Sequence, residues 1–185
     1  MTIEAEQEFK ALLPQAQASR LQRHYPFETA FSQTNRYFDT ADSALQQRGC
    51  GLRTRQFATH AEQTLKVPAG PKRRLLEYTD AISGNTLVAS GQVQAEVKRL
   101  GVAWSALVPF AEATTTRRLS KLDVGLLTLD HTCYPDGFED WEVELEYHDF
   151  QTAQAFWAQL EAQLQLTFSA PQNKVHRAQV HAQAK

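Results

Sequence analysis

The feature that most restricts how this chain can fold is a strand-period alternation in which one face is charged and the other apolar. It is sharpest in Trp141-Glu142-Val143-Glu144-Leu145-Glu146-Tyr147. A period of two sends Glu142, Glu144 and Glu146 to one face and the two aromatic and two aliphatic residues to the other. The same habit recurs along the chain. Residues 3–10 alternate, with Glu6, Glu8 and Lys10 sharing a face. Arg53 and Arg55 share a face, as do Thr64 and Lys66. Arg117 and Arg118 are adjacent, so only one of them can join the other cations, and a one-residue register slip exchanges them.

Such strands have two solutions. In a sandwich the charges meet water and the apolar faces pack together. In a barrel the charges line the interior and helices cover the apolar outside. Periodicity does not choose between them. Carboxylates that face each other across an interior repel unless a cation sits among them. Mg²⁺ or Mn²⁺ suits carboxylate oxygens and completes its shell with water and phosphate. Arginine forks and lysine point charges suit phosphate on the opposite side of the account.

The remaining chain reads as a single domain spanning 1–185, α+β in class and mainly antiparallel β. Strands are expected at about 36–39, 51–57, 62–67, 74–82, 112–119, 124–131 and 140–147. Helices are expected at about 14–25, at 90–100 behind a Ser90 cap, and at 150–165, where Ala153, Phe156, Trp157, Leu160 and Leu164 form an apolar stripe. A last helix begins near Pro171 and carries Lys174 and Arg177 at i and i+3. The 150–165 stripe needs an apolar surface, which a barrel exterior supplies.

Composition excludes several functions. A net charge of −2 and a pI near 6.3 give no global field for nucleic acid or an anionic membrane. No apolar run approaches membrane-spanning length, and residues 1–6 lack the pattern of a secretory signal, so a cytoplasmic location is expected. Cys50 and Cys133 lack metal-type spacing and fit a reducing compartment. The histidines (24, 60, 131, 148, 176 and 181) show no ligand spacing, and no Walker-type phosphate loop occurs. Monomer and homodimer are both open.

Taken in order, these segments resemble the CYTH superfamily, the triphosphate tunnel metalloenzymes. Glu6-x-Glu8-x-Lys10 resembles its ExExK signature, Tyr37-Phe38-Asp39-Thr40 its YFDT segment, and Leu52-Arg53-Thr54-Arg55 its LRxR strand. Thr64-Leu65-Lys66, Arg74-Leu75-Leu76-Glu77, Leu129-Asp130-His131, Glu144-Leu145-Glu146 and Asn173-Lys174-Val175-His176-Arg177 resemble later elements. The resemblance covers nearly the whole chain.

It implies an eight-stranded closed tunnel barrel with a charged interior and peripheral helices. It also implies divalent-metal-dependent hydrolysis of a triphosphate, inorganic or organic, with Mg²⁺ or Mn²⁺ as cofactor and a small molecule as partner. Glu6, Glu8, Glu144 and Glu146 would then bind metal, with Glu142 as an alternative member of the pair, Glu77 as a further carboxylate and Asp130 assisting through water. Lys10, Arg53, Arg55, Lys66 and Arg117 would bind phosphate, joined by Arg74, Arg118 and Arg177, and Lys174 would close one end of the tunnel. Two other readings stay open: a class IV adenylate cyclase forming cyclic AMP from ATP, and a non-catalytic polyphosphate- or nucleotide-binding module.

Overall fold

The computed structural model describes residues 2–69, 75–166, 169 and 173–182, with backbone alone for 2–6. Nine strands form one antiparallel sheet: β1 (Thr2–Glu6), β2 (Glu8–Leu13), β3 (Phe31–Asp39), β4 (Gly51–Gln56), β5 (Ala61–Pro68), β6 (Leu75–Ile82), β7 (Val108–Leu122), β8 (Gly125–Cys133) and β9 (Glu139–Tyr147). Their order is β1-β6-β5-β4-β3-β7-β8-β9-β2. The two ends of that order, β1 and β2, are consecutive in the chain and separated only by Gln7. The first strand therefore divides its pairing: its first half pairs with β6 and its second with β9. Counted as one, it makes an eight-stranded sheet that curls on itself, and the seam is Gln7 rather than a continuous ladder.

The register fixes which face is inside. Lys10 lies opposite Glu144, Asp130 opposite Glu142, and Arg117 opposite Asp130. Tyr37 lies opposite Arg53, Asn35 opposite Arg55, Gly51 opposite Lys66, and Lys66 opposite Glu77. Cross-strand partners share a face, so one charged surface runs around the inside. Neutral polar residues fill the gaps: Thr115 and Thr132 are buried and their hydroxyls hydrogen-bond at 3.1 Å.

The alternate residues build the outer cores. Leu127, Leu129, Val143 and Leu145 pack beneath α1 (Gln15–His24) and α3 (Phe150–Leu164), through Ala18, Leu21, Ala153, Leu160 and Leu164. Leu52, Leu65 and Val67 pack beneath α2 (Gly91–Arg99) through Val93 and Val97. Burial of apolar area on the outside thus supports a polar inside.

Ser90 occupies the N-cap position of α2, but its side chain makes no capping bond. Asp80 of β6 takes that role, accepting from the Gln92 and Val93 amides at 3.1 and 2.9 Å. The approach needs glycine at 91: a Cβ there would lie 2.3 Å from the Asp80 carboxylate, and φ is +83°. The final helix, α4 (Lys174–Ala182), differs from the others. It packs with Tyr37 at the C-terminal end of β3, Ala111 and Ala113 in the N-terminal half of β7, and Tyr134 just after β8, and covers that end of the barrel. No helix of the described residues is long and apolar enough to cross a membrane.

Candidate functional site

The interior contains a cavity of about 270 Å³. Glu8, Lys10, Arg53, Arg55, Lys66, Glu77, Arg117, Glu142, Glu144, Glu146 and Lys174 all line it. Its walls differ in sign. On β8 and β9, one carboxylate oxygen each from Asp130, Glu142 and Glu144 falls within 4.8 Å of the others, and all three residues are buried. Asp130 lies directly opposite Glu142, and Glu144 is two residues further along the same face of β9.

That cluster is neutralised from within the protein. Arg117 grips Asp130 bidentately at 2.8 and 2.6 Å and reaches Glu144 at 3.1 Å. Lys174 contacts Asp130 at 2.5 Å and Glu142 at 3.0 Å. Its position follows from the start of α4, where the Asn173 side chain accepts from the His176 amide at 2.8 Å and sets the first turn. Burial pushes the Glu144 carboxyl up, but Lys174 and Arg117 more than offset it and hold the group well below its ordinary range. Asp130 behaves alike: burial raises it, and Lys174 and Arg117 bring it down. Glu142 goes the other way, raised chiefly by burial and further by Glu144, against the pull of Lys174. Burial opposes the Lys174 ammonium, yet Asp130, Glu142 and Glu144 raise its pKa, so it stays protonated.

The basic wall, on β4 and β5, is less well matched. The Arg53 Nε is buried without a hydrogen-bond partner among the described residues. Arg55 donates to Asn35 at 3.1 Å and to Glu62 at 3.3 Å. Burial, with the nearby charges of Arg53 and Arg117, pulls Arg55 down to about 9. An arginine remains charged near neutrality, so an anion placed among these side chains would be favoured. Lys66 pairs with Glu77. Burial raises the Glu77 carboxyl, but Lys66 and Arg53 take it down to about 2.

The other residues singled out in the sequence fall as follows. Lys10 pairs with Glu8; burial lowers its pKa, but Glu8 and the carboxylates of β9 outweigh that and raise it. Glu146 lies opposite Glu8, at the cavity edge beyond the three-carboxylate cluster. Glu6 ends β1 opposite Leu75, and its side chain lies outside the described residues, as does Arg74. Arg118 lies opposite Leu129, which belongs to the outer core, so Arg117 and not Arg118 takes the inner face. Arg177 sits away from the basic wall. It contacts Glu142 and Asp140, each at 2.7 Å, and donates to the Tyr134 hydroxyl at 3.2 Å, anchoring α4 to β9.

Several residues were not foreseen. Asn35 and Glu62 orient Arg55, and Asp140 with Tyr134 fixes Arg177. The Tyr37 hydroxyl is buried in the tunnel without a partner among the described residues. Asp39, two residues on, accepts from the Leu45 and Gln46 amides at 2.9 Å and folds the loop after β3. Only the Tyr37-Phe38-Asp39-Thr40 motif signalled any of these.

A curled antiparallel sheet with an acidic and a basic wall facing one interior cavity defines a charged β-tunnel. The CYTH domain family model matches residues 4–178, and the chain belongs to that family. It is similar to the candidate triphosphatase YjbK of Bacillus subtilis (strain 168), at 32% identity over 187 residues, covering 96% of this chain and 95% of that protein. Among solved structures it resembles a candidate adenylate cyclase from Bacillus halodurans, with a TM-score of 0.84, 27% identity, and coverage of 96% and 98%. It also resembles HpAC1 from Hippeastrum, a candidate adenylyl cyclase with a dominant triphosphatase activity. There the TM-score is 0.74 at 19% identity, with coverage of 97% and 96%, a likeness of fold.

Proposed function

We propose that this chain is a divalent-metal-dependent triphosphatase acting inside its tunnel. The observation that carries this reading is the pairing of a three-carboxylate cluster with an under-neutralised arginine wall around one cavity. Arg53 and Arg55 would take phosphate oxygens through their forks, while Lys10 and Lys66 would contribute point charge. Arg117 would balance charge between the walls. The donor set of Asp130, Glu142 and Glu144, all hard oxygens, fits Mg²⁺ or Mn²⁺. Such an ion would polarise phosphoryl oxygens and lower the pKa of a bound water. Lys174, kept protonated by those carboxylates, acts as an electrostatic brace and not as a base.

One feature bears on the choice between inorganic and organic substrates. At the end away from α4, Phe31 lies opposite Arg117, and Phe57 lies two residues beyond Arg55. The two rings are 6.2 Å apart, Phe57 stacks on His60 at 4.2 Å, and the Arg55 guanidinium lies 5.9 Å from the Phe57 centroid. A partly exposed aromatic rim beside the phosphate-binding arginines favours a triphosphate ester bearing a flat ring, such as ATP or thiamine triphosphate. It also keeps the cyclase alternative in play.

The test is incubation with tripolyphosphate, ATP and thiamine triphosphate, in Mg²⁺, Mn²⁺ or EDTA, with phosphate, pyrophosphate and cyclic AMP measured. Metal-dependent phosphate release, abolished in Glu144→Gln, is expected. Cyclic AMP with pyrophosphate would replace hydrolysis by cyclisation, and tight binding without turnover would leave a binding module. Phe57→Leu should weaken ATP about tenfold relative to tripolyphosphate, the usual value of one stacked base.

A further inference from the structure

A second group of metal-ligating side chains lies on the other side of the same two strands. His131 and Cys133 alternate with Asp130 and Thr132 on β8, so they face outward where Asp130 faces in. Glu139 stands opposite Cys133 on β9, and Trp141 opposite His131. The His131 ring stacks on Trp141 at 4.2 Å with planes 9° apart, which fixes its orientation. Its Nε2 lies 2.9 Å from a Glu139 oxygen and 3.9 Å from the Cys133 sulfur. One ligand atom from each of the three residues falls within 4.8 Å of the others. The linear sequence hides this set, because the hairpin between the strands, and not local spacing, supplies the third member.

We propose that His131, Cys133 and Glu139 form a cation site on the outer surface of the barrel. It would take a late first-row divalent ion such as Zn²⁺ through nitrogen, sulfur and oxygen, with water in the fourth position. The distances suit it. Zinc–sulfur and zinc–nitrogen bonds of ordinary length, at a tetrahedral angle, place those two donors about 3.5 Å apart. The observed separation needs to close by only a few tenths of an ångström, and the His131–Glu139 pair to open by a similar amount. Charge suits it as well: a neutral imidazole, a thiolate and a carboxylate together balance a divalent ion. On coordination the Cys133 proton leaves to solvent, the proton that His131 Nε2 donates to Glu139 transfers through solvent to Nδ1, and that hydrogen bond is exchanged for two metal bonds. The donors also sort the metals, because a thiolate and an imidazole select Zn²⁺ and its neighbours while the oxygens of the tunnel select Mg²⁺ or Mn²⁺. Glu139 is well exposed, at 57% for its side chain, so the site is open to solvent.

Cobalt reports on this directly, since a thiolate–Co²⁺ bond gives a near-ultraviolet charge-transfer band that oxygen ligands in the tunnel do not. The full chain would be titrated with Co²⁺ in excess Mg²⁺ and a non-thiol reductant. A band saturating at one equivalent and displaced by Zn²⁺ is expected. Cys133→Ser should lose it, Cys50→Ser should keep it, and His131→Ala should move the midpoint to higher Co²⁺. Matching thermal melts would show that these variants are folded. Absence of the band in the unsubstituted protein, or a band undiminished in folded Cys133→Ser, would overturn the proposal.

Discussion

The acidic and basic walls of the tunnel are built from the same kind of strand, yet they stand in opposite electrostatic conditions. On β8 and β9 every member of the carboxylate cluster has a cation within reach, supplied by Arg117 of a neighbouring strand and by Lys174 and Arg177 of α4. On β4, Arg53 keeps a buried nitrogen without a partner among the described residues, and Arg55 is depressed by burial and by its neighbours. The acidic wall is satisfied by the protein itself, whereas the basic wall keeps a buried donor for which the described residues supply no acceptor. Under the proposed function the acidic wall would take the metal and the basic wall the phosphates.

The largest effect that would break this contrast is removal of the acidic wall's brace. Lys174→Met leaves Asp130, Glu142 and Glu144 with fewer cations in a buried site, and breaking such an arrangement costs about 3–5 kcal/mol. Urea unfolding should show that loss in EDTA and a partial recovery in Mg²⁺. Recovery is the informative part, since a merely structural helix contact would not respond to metal.

On the opposite wall the cost should be small. Arg53→Met removes a buried donor with no partner among the described residues and relieves repulsion on Arg55, which offsets its lost attraction for Glu77, so the unfolding midpoint should fall far less than in Lys174→Met. Tripolyphosphate binding, measured by calorimetry, should weaken by about 10- to 100-fold, the value of a hydrogen bond to a charged group. A large loss of stability in Arg53→Met would erase the distinction between the walls.

The smallest effect concerns Glu77, the basic wall's own carboxylate. Its folded pKa of about 2 lies below the ordinary 4.5, so the folded state binds fewer protons than the unfolded one between those values. Its stabilising contribution is complete above about pH 4.5 and is lost as the pH falls toward 2. Subtracting the acid limb of Glu77→Gln from that of the unsubstituted protein should isolate a difference confined to this window.

Much of this arrangement was legible in residue order, because alternation of charge and apolar residues reports on a strand whichever side faces the core. What alternation lacks is the knowledge of which side is inside. The strand expected at 36–39 begins at Phe31, and the polar Gln33 and Asn35 that it adds are both buried in the tunnel wall. The strand expected at 112–119 runs from Val108 to Leu122. Pro109 looks like a strand end, but it sits opposite Phe38, where the register shifts and a missing amide is tolerated. The change of partner at Gln7 left no trace, since the Glu6-x-Glu8-x-Lys10 alternation runs straight through it. Arg177 resembled a phosphate ligand by its neighbour Lys174. Its true partners, Asp140 and Glu142, lie 35 and more positions away and have no local signature.

The divided pairing of the first strand has a consequence for how the chain reaches this state. β2 cannot find its hydrogen-bonding partner until β9 exists, and residues 8 and 146 are opposite each other in the finished ladder. During synthesis at roughly 5–20 residues per second, that wait is on the order of ten seconds. Throughout it, the amino-terminal segment has an unfilled edge and a charged face with no cavity to line. Contacts of such long range make folding slow, and the closing step belongs to the earliest strand and the last one together.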